Sequence, residues 1–186
     1  YHTKPPMGKQ ERMSTIVFTG GGTGGHVYPG IAVIQALRKT WSGSFLWIGS
    51  KSGMERAIVE AAGIPFAAIP SGKLRRYFSV RNVLDVFRVA GGILASFFLF
   101  LRSRPVLVFS KGGYVGFPPV FAARLLRIPV VAHESDADPG LATLLSAPFA
   151  DRILVPYEES SRHFPARFRS RITVTGNPVR EEIAAG

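Results

Sequence analysis

Short runs of β-branched and aromatic residues alternate with longer helical stretches along most of the chain, and this restricts the fold more than any other feature. Residues 15–18, 45–48, 106–109, 130–132, 153–155 and 172–174 read as strands, and 29–39, 54–62, 119–126 and a segment from about Gly140 read as helices. Continuously apolar strands separated by helices predict a parallel sheet covered on both faces, a doubly wound α/β fold. Nothing in the composition marks an internal boundary, so the reading is one domain over residues 14–186. In such a sheet ligands bind beyond the carboxyl ends of the strands.

Composition removes several alternatives. With 46% hydrophobic and 19% charged residues in 186, the bulk of the chain is not disordered. The absence of cysteine excludes disulfides, thiolate metal sites and a thiol nucleophile. A net charge of +11 attracts nucleic acid, anionic lipid or phosphorylated small molecules without choosing among them. Residues 1–13 are polar, lack the apolar core of a signal peptide and open on Tyr1, so they are read as an expression scar or leader outside the fold.

The first strand runs into Gly20-Gly21-Gly22-Thr23-Gly24-Gly25-His26-Val27-Tyr28-Pro29, with Pro29 placed to open the following helix. A backbone without side chains lets its amides approach a phosphate or sugar, and a helix N-terminus adds partial positive charge. Gly20, Gly22 and Gly25 satisfy G-x-G-x-x-G, which raises a dinucleotide site. The acid such a site needs for NAD is missing at the end of the second strand, where Gly49-Ser50-Lys51 leaves only an NADP-dependent oxidoreductase as an alternative. His26 stands where a P-loop carries lysine. It reads either as a proton acceptor near neutral pH or as a ring that caps the loop or packs on Tyr28.

The strand over 106–109 repeats the pattern with Lys111-Gly112-Gly113-Tyr114-Val115-Gly116-Phe117-Pro118-Pro119. Two such loops on one sheet edge imply a cleft between them. Lys111 could pair with phosphate or be a solvated lysine, and Tyr114 could meet a ligand or pack in its loop.

These loops, with His133-Glu134-Ser135-Asp136, Pro139-Gly140-Leu141 and Thr175-Gly176-Asn177-Pro178-Val179-Arg180, resemble the amino-terminal half of the MurG family, bacterial N-acetylglucosaminyltransferases of peptidoglycan synthesis. The resemblance implies a Rossmann-like domain forming one half of a GT-B glycosyltransferase. The family transfers N-acetylglucosamine from UDP-N-acetylglucosamine to the 4-hydroxyl of undecaprenyl-pyrophosphoryl-MurNAc-pentapeptide (lipid I), with inversion, to give lipid II. It further implies that Thr23, Gly24, Gly25, Asp136 and Arg180 serve the donor, and that His26, Lys111, Gly112, Gly113 and Tyr114 serve the acceptor. His26 or Glu134 is the base, His26 being preferred, while Glu134 has the alternative of a strand-end carboxylate tied to loop amides. Asp136 stands where many members carry asparagine, so it can accept a sugar hydroxyl but not donate. No cofactor or essential metal is implied, although Asp136-Ala137-Asp138 has the form of a metal-binding D-x-D. The implied location is peripheral, on the cytoplasmic face of the bacterial membrane. The family's carboxy-terminal domain, its main UDP-binding part, has no counterpart here, so the chain alone is expected to be inactive or nearly so.

Between Lys73 and Arg104 seven basic residues face a single acid, Asp85. Val83, Phe87, Ala90, Leu94, Phe98 and Leu101 form one helical stripe, and Val86, Val89, Ile93, Phe97 and Phe100 a second. One stripe can face the sheet; the other either is buried by neighbours or lies on an anionic membrane, with Arg75, Arg76, Arg81, Arg88 and Phe97 as the patch. The 13 residues between Arg88 and Arg102 fall short of a membrane span, and Gly91-Gly92 is a possible interruption. A nucleic-acid-binding module is disfavoured, because the aromatics fall on helix stripes and form no RNA-stacking pair.

Overall fold

The structure is a computed structural model describing residues 14–73 and 80–179, with residues 80–83 described by backbone alone. Seven parallel strands form one sheet in the order β3-β2-β1-β4-β5-β6-β7. The strands are β1 (Thr15–Thr19), β2 (Ser44–Ser50), β3 (Phe66–Ile69), β4 (Leu107–Ser110), β5 (Val130–His133), β6 (Arg152–Val155) and β7 (Ile172–Val174). The helices are α1 (Gly24–Leu37), α2 (Glu55–Ala61), α3 (Val80–Ser103), α4 (Phe117–Leu125), α5 (Leu141–Ser146) and α6 (Glu158–Ser161).

Both faces of the sheet are covered, and the period-two alternation of strand residues assigns each side chain to a face. Ile16, Phe18, Phe45 and Trp47 join Val27, Ile31 and Ile34 of α1 and Val59 of α2 in one buried cluster. Val17, Ile48 and Val108 join Phe100 of α3 and Val120, Ala122 and Ala123 of α4 in the other. Strand order reverses between β1 and β4, whose register pairs Thr19 with Ser110 at their carboxyl ends. The two glycine loops therefore leave the sheet side by side at its switch point, where open α/β sheets bind ligands.

Besides the short α6, three elements differ from expectation. β3 is an additional strand: with two alanines among four residues it carries little β-propensity, and pairing with β2 supplies what the local sequence lacks. α1 begins at Gly24, not Pro29, which lies inside the helix. Proline lacks the N–H that would bond the Gly25 carbonyl, and the defect is confined to the second turn, at the ligand-facing end. α3 runs unbroken through Gly91-Gly92. A Cβ on Gly92 would run into the Pro70 carbonyl oxygen, so glycine there serves close packing of α3 on the chain leaving β3.

Most of the first apolar stripe of α3 faces outward. Phe87 is 71% and Phe98 66% exposed, and Leu94 and Leu101 are exposed beside them. The second stripe turns inward through Val89 and Phe100, except that Val86 is exposed. Phe97 is corrected as a patch residue: it is partly buried against the core, its ring edge-on to Phe98 at 5.8 Å. Exposed Arg88 is ion-paired at 2.9 Å with buried Asp85. Arg75 and Arg76 lie outside the described residues, and Arg81 is described by backbone alone. The length argument is corrected too, since Leu84–Ser103 has the length and apolar composition of a membrane span, with 28% of it buried in the domain.

Candidate functional site

The glycine loops touch. Gly113 has a left-handed φ of +73°, and a Cβ there would run into the Gly21 carbonyl oxygen, so conformation and contact both require glycine. A Cβ on Gly22 would lie 2.7 Å from the Tyr114 ring. Trp47 Nε1–H donates to the Gly20 carbonyl at 3.1 Å. Buried Glu55 accepts the Ser50 amide at 2.8 Å and hydroxyl at 2.5 Å, with the Gly22 amide at 3.5 Å. Glu55 was absent from the sequence reading: it follows β2 by five residues and its carboxylate turns back under the first loop. The acid near the end of β2 is therefore committed to the loop itself.

His26 stands between the loops. Its Nδ1 is 3.1 Å from the Lys111 main-chain carbonyl. A carbonyl oxygen can only accept, so Nδ1 carries the proton and Nε2 keeps its lone pair. The Tyr28 ring lies 3.2 Å from the position of a Cβ on Gly24.

Lys111 is corrected from an acceptor-binding lysine. Its side chain is 0% exposed, and its ammonium donates to His133 Nδ1 at 2.7 Å and Ser135 Oγ at 2.5 Å. Burial lowers its pKa to about 8 against the opposing pull of Glu134 and Asp136. Burial, then the Lys111 charge, lowers the pKa of His133 to about 4, so His133 is the neutral acceptor of the pair. The network ties the loop after β4 to the loop after β5.

Glu134 is also buried. Its Oε1 accepts the amides of Ser135 at 2.7 Å and Asp136 at 3.1 Å, and its Oε2 accepts that of Gly140 at 3.1 Å. This is the loop-tying alternative for Glu134. Asn177 Nδ2 donates to the Ser135 carbonyl at 3.0 Å, bringing the last described segment to the same loop. Asp138 faces His163 at 3.5 Å, and among the described residues no group of three or more His, Cys, Asp or Glu is placed to hold a metal.

A cavity of about 290 Å³ opens between the loops. Gly21, Gly22, Thr23, His26, Gly113, Tyr114 and Asp136 line it, with Thr143 of α5. Thr23 is the N-cap of α1 and its side chain makes no capping bond. Gly24 and Gly25 open α1 directly after Thr23 and are not part of the lining. Gly112 packs behind Gly113 against Thr143 and His26 and is not part of the lining. Arg180 lies outside the described residues.

Sheet order, bare paired loops and a switch-point cavity define a Rossmann-like domain of the kind that forms half of a GT-B glycosyltransferase. Residues 16–155 match the glycosyltransferase family 28 N-terminal domain, and the chain belongs to that family. It resembles the amino-terminal part of MurG in particular. It is 50% identical over 182 residues to the UDP-N-acetylglucosamine–N-acetylmuramyl-(pentapeptide) pyrophosphoryl-undecaprenol N-acetylglucosamine transferase of Treponema denticola, covering 94% of this chain and 46% of that protein. The protein of the same name from Treponema pallidum is 54% identical over 174 residues, covering 94% and 45%. The crystal structure of Acinetobacter baumannii MurG superposes with a TM-score of 0.73 at 27% identity, covering 92% of this chain and 47% of that one. The chain spans about half the length of the curated relatives it matches.

Proposed function

We propose that this chain is the acceptor-side half of an inverting transferase that moves N-acetylglucosamine from its UDP-sugar to the 4-hydroxyl of a lipid-linked muramoyl pentapeptide. The observation that carries the reading is His26: a single ring between two glycine rims, its Nδ1–H held by a main-chain carbonyl and its other nitrogen left as a base. Nε2 takes the proton of the 4-hydroxyl, and the oxygen forms its bond to the donor's anomeric carbon. The bond from that carbon to UDP breaks on the opposite face, which inverts the centre and sends the electron pair out with the diphosphate. Gly113, and Gly112 behind it, shape the rim for the acceptor diphosphate beside Tyr114. Thr23, Gly24 and Gly25 meet the donor sugar nucleotide, with Asp136 accepting a hydroxyl and Arg180 nearby. The second GT-B domain supplies the remaining UDP contacts. The outward stripe of α3, with Arg75, Arg76, Arg81 and Arg88, rests the domain on the anionic cytoplasmic face of the membrane, where the acceptor is found.

The test is a chimera carrying residues 14–186 in place of the corresponding half of the Treponema denticola relative. It should transfer N-acetylglucosamine to a lipid I analogue, and His26→Ala should lower the catalytic rate by about 10²–10⁴-fold. A variant that turns over at nearly the parent rate would remove His26 from the chemistry.

A further inference from the structure

The walls of the central cavity differ in chemistry. Where it is bounded by the loops after β1, β4 and β5 it presents amides, His26, Tyr114 and Asp136; where it is bounded by helices it presents Val89 of α3, Phe117 of α4, and Leu141, Thr143 and Leu145 of α5, and Lys73 after β3 also lines it. Leu141 and Leu145 are four apart and share one face of α5. An apolar wall cannot meet the hydrogen bonds of a sugar or peptide, which lose their hydration on burial against it. It suits hydrocarbon joined directly to an anion. Val89 is buried on the side of α3 opposite the exposed Phe87, Leu94 and Phe98, so hydrocarbon against it is held inside the domain and not on the outer stripe.

We infer that this helical wall is a subsite for the first isoprenyl units of a polyprenyl diphosphate, the chain running from the glycine rim along Val89, Phe117, Leu141 and Leu145. The inference rests on the reading of the cavity as the acceptor site, and it adds that the domain grips the carrier lipid itself as well as the headgroup. The Treponema relatives are named for a pyrophosphoryl-undecaprenol, whose phosphate-proximal carbons have this chemistry. Length selectivity should therefore saturate after the first few isoprenyl units, since beyond the cavity the chain meets an open surface.

The experiment titrates the methyl-labelled 186-residue chain with geranyl diphosphate and, separately, with inorganic pyrophosphate, following methyl and amide resonances. Both ligands should shift the amides of Gly21, Gly22 and Gly113. Only geranyl diphosphate should shift the methyls of Val89, Leu141 and Leu145, and it should bind about tenfold or more tightly than pyrophosphate. Leu145→Asn, at a partly exposed position, should abolish that advantage while leaving pyrophosphate affinity unchanged. Equal affinities, unmoved methyls, or shifts confined to the outer stripe of α3 overturn the subsite while leaving the acceptor reading intact. Failure of both ligands to move the glycine amides overturns the acceptor reading and the subsite with it.

Discussion

Lys111 gives a prediction whose sign and size follow from the structure. Burial lowers its pKa from 10.5 to about 8. Between these values the unfolded chain holds a proton that the folded chain has lost, so stability rises with pH across the window and is constant below it on this account. The shift corresponds to about 3 kcal/mol, a cost present in full at neutral pH. The side chain is wholly buried, so solvent does not screen this cost. Lys111→Met keeps the length of the side chain and removes the charge, although His133 and Ser135 lose their donor. The stability of the parent minus that of Lys111→Met, from urea denaturation at fixed temperature, should therefore climb by about 3 kcal/mol between pH 7.5 and 10.5. Taking the difference cancels other groups that titrate there. His133 contributes a second limb: lowered from 6.5 to about 4, it makes the parent lose stability as pH falls through that interval. This limb should shrink in Lys111→Met, because the ammonium is one cause of the shift. A parent-minus-variant difference that stays level or falls above pH 8 would refute the buried cation.

Other changes probe the loops and the outer helix. Gly113→Ala must adopt a left-handed backbone and displace the Gly21 carbonyl, so it should cost about 2 kcal/mol or more in urea denaturation, and an unchanged midpoint would contradict the contact. Phe87→Ser with Phe98→Ser should sharply weaken flotation with anionic vesicles, while charge reversal at Arg75, Arg76, Arg81 and Arg88 should weaken it in a salt-dependent way. Attachment equal to the parent in both variants would eliminate the surface patch.

The fold was legible because parallel strands buried on both faces must be continuously apolar, and six of the seven strands announce themselves that way. β3 did not, because Phe66-Ala67-Ala68-Ile69 is short and half alanine, with little β-propensity of its own, and is held by its partner β2. The glycine loops were legible as ligand rims, and their adjacency followed from strand order. What local pattern could not show is where polar side chains go once the loops fold over one another. Lys111 has the look of a surface cation, yet it points inward because the next two residues carry no side chains and His133 and Ser135 offer it partners. Glu55 lies inside the helix read over 54–62, and only the folded loops reveal that its carboxylate holds the Ser50 and Gly22 amides. On α3 the periodicity separated two faces, and packing decided that Phe97 belongs against the core while Phe98 is outside.

The central claim is that the Lys111 carbonyl sets His26 with a proton on Nδ1 and a lone pair on Nε2. Long-range proton–nitrogen correlation spectra of the nitrogen-labelled chain, recorded at a pH where the ring is neutral, read this directly. His26 is expected to show the Nδ1–H tautomer; a ring protonated on Nε2 would have no lone pair there to take the hydroxyl proton and would contradict that setting.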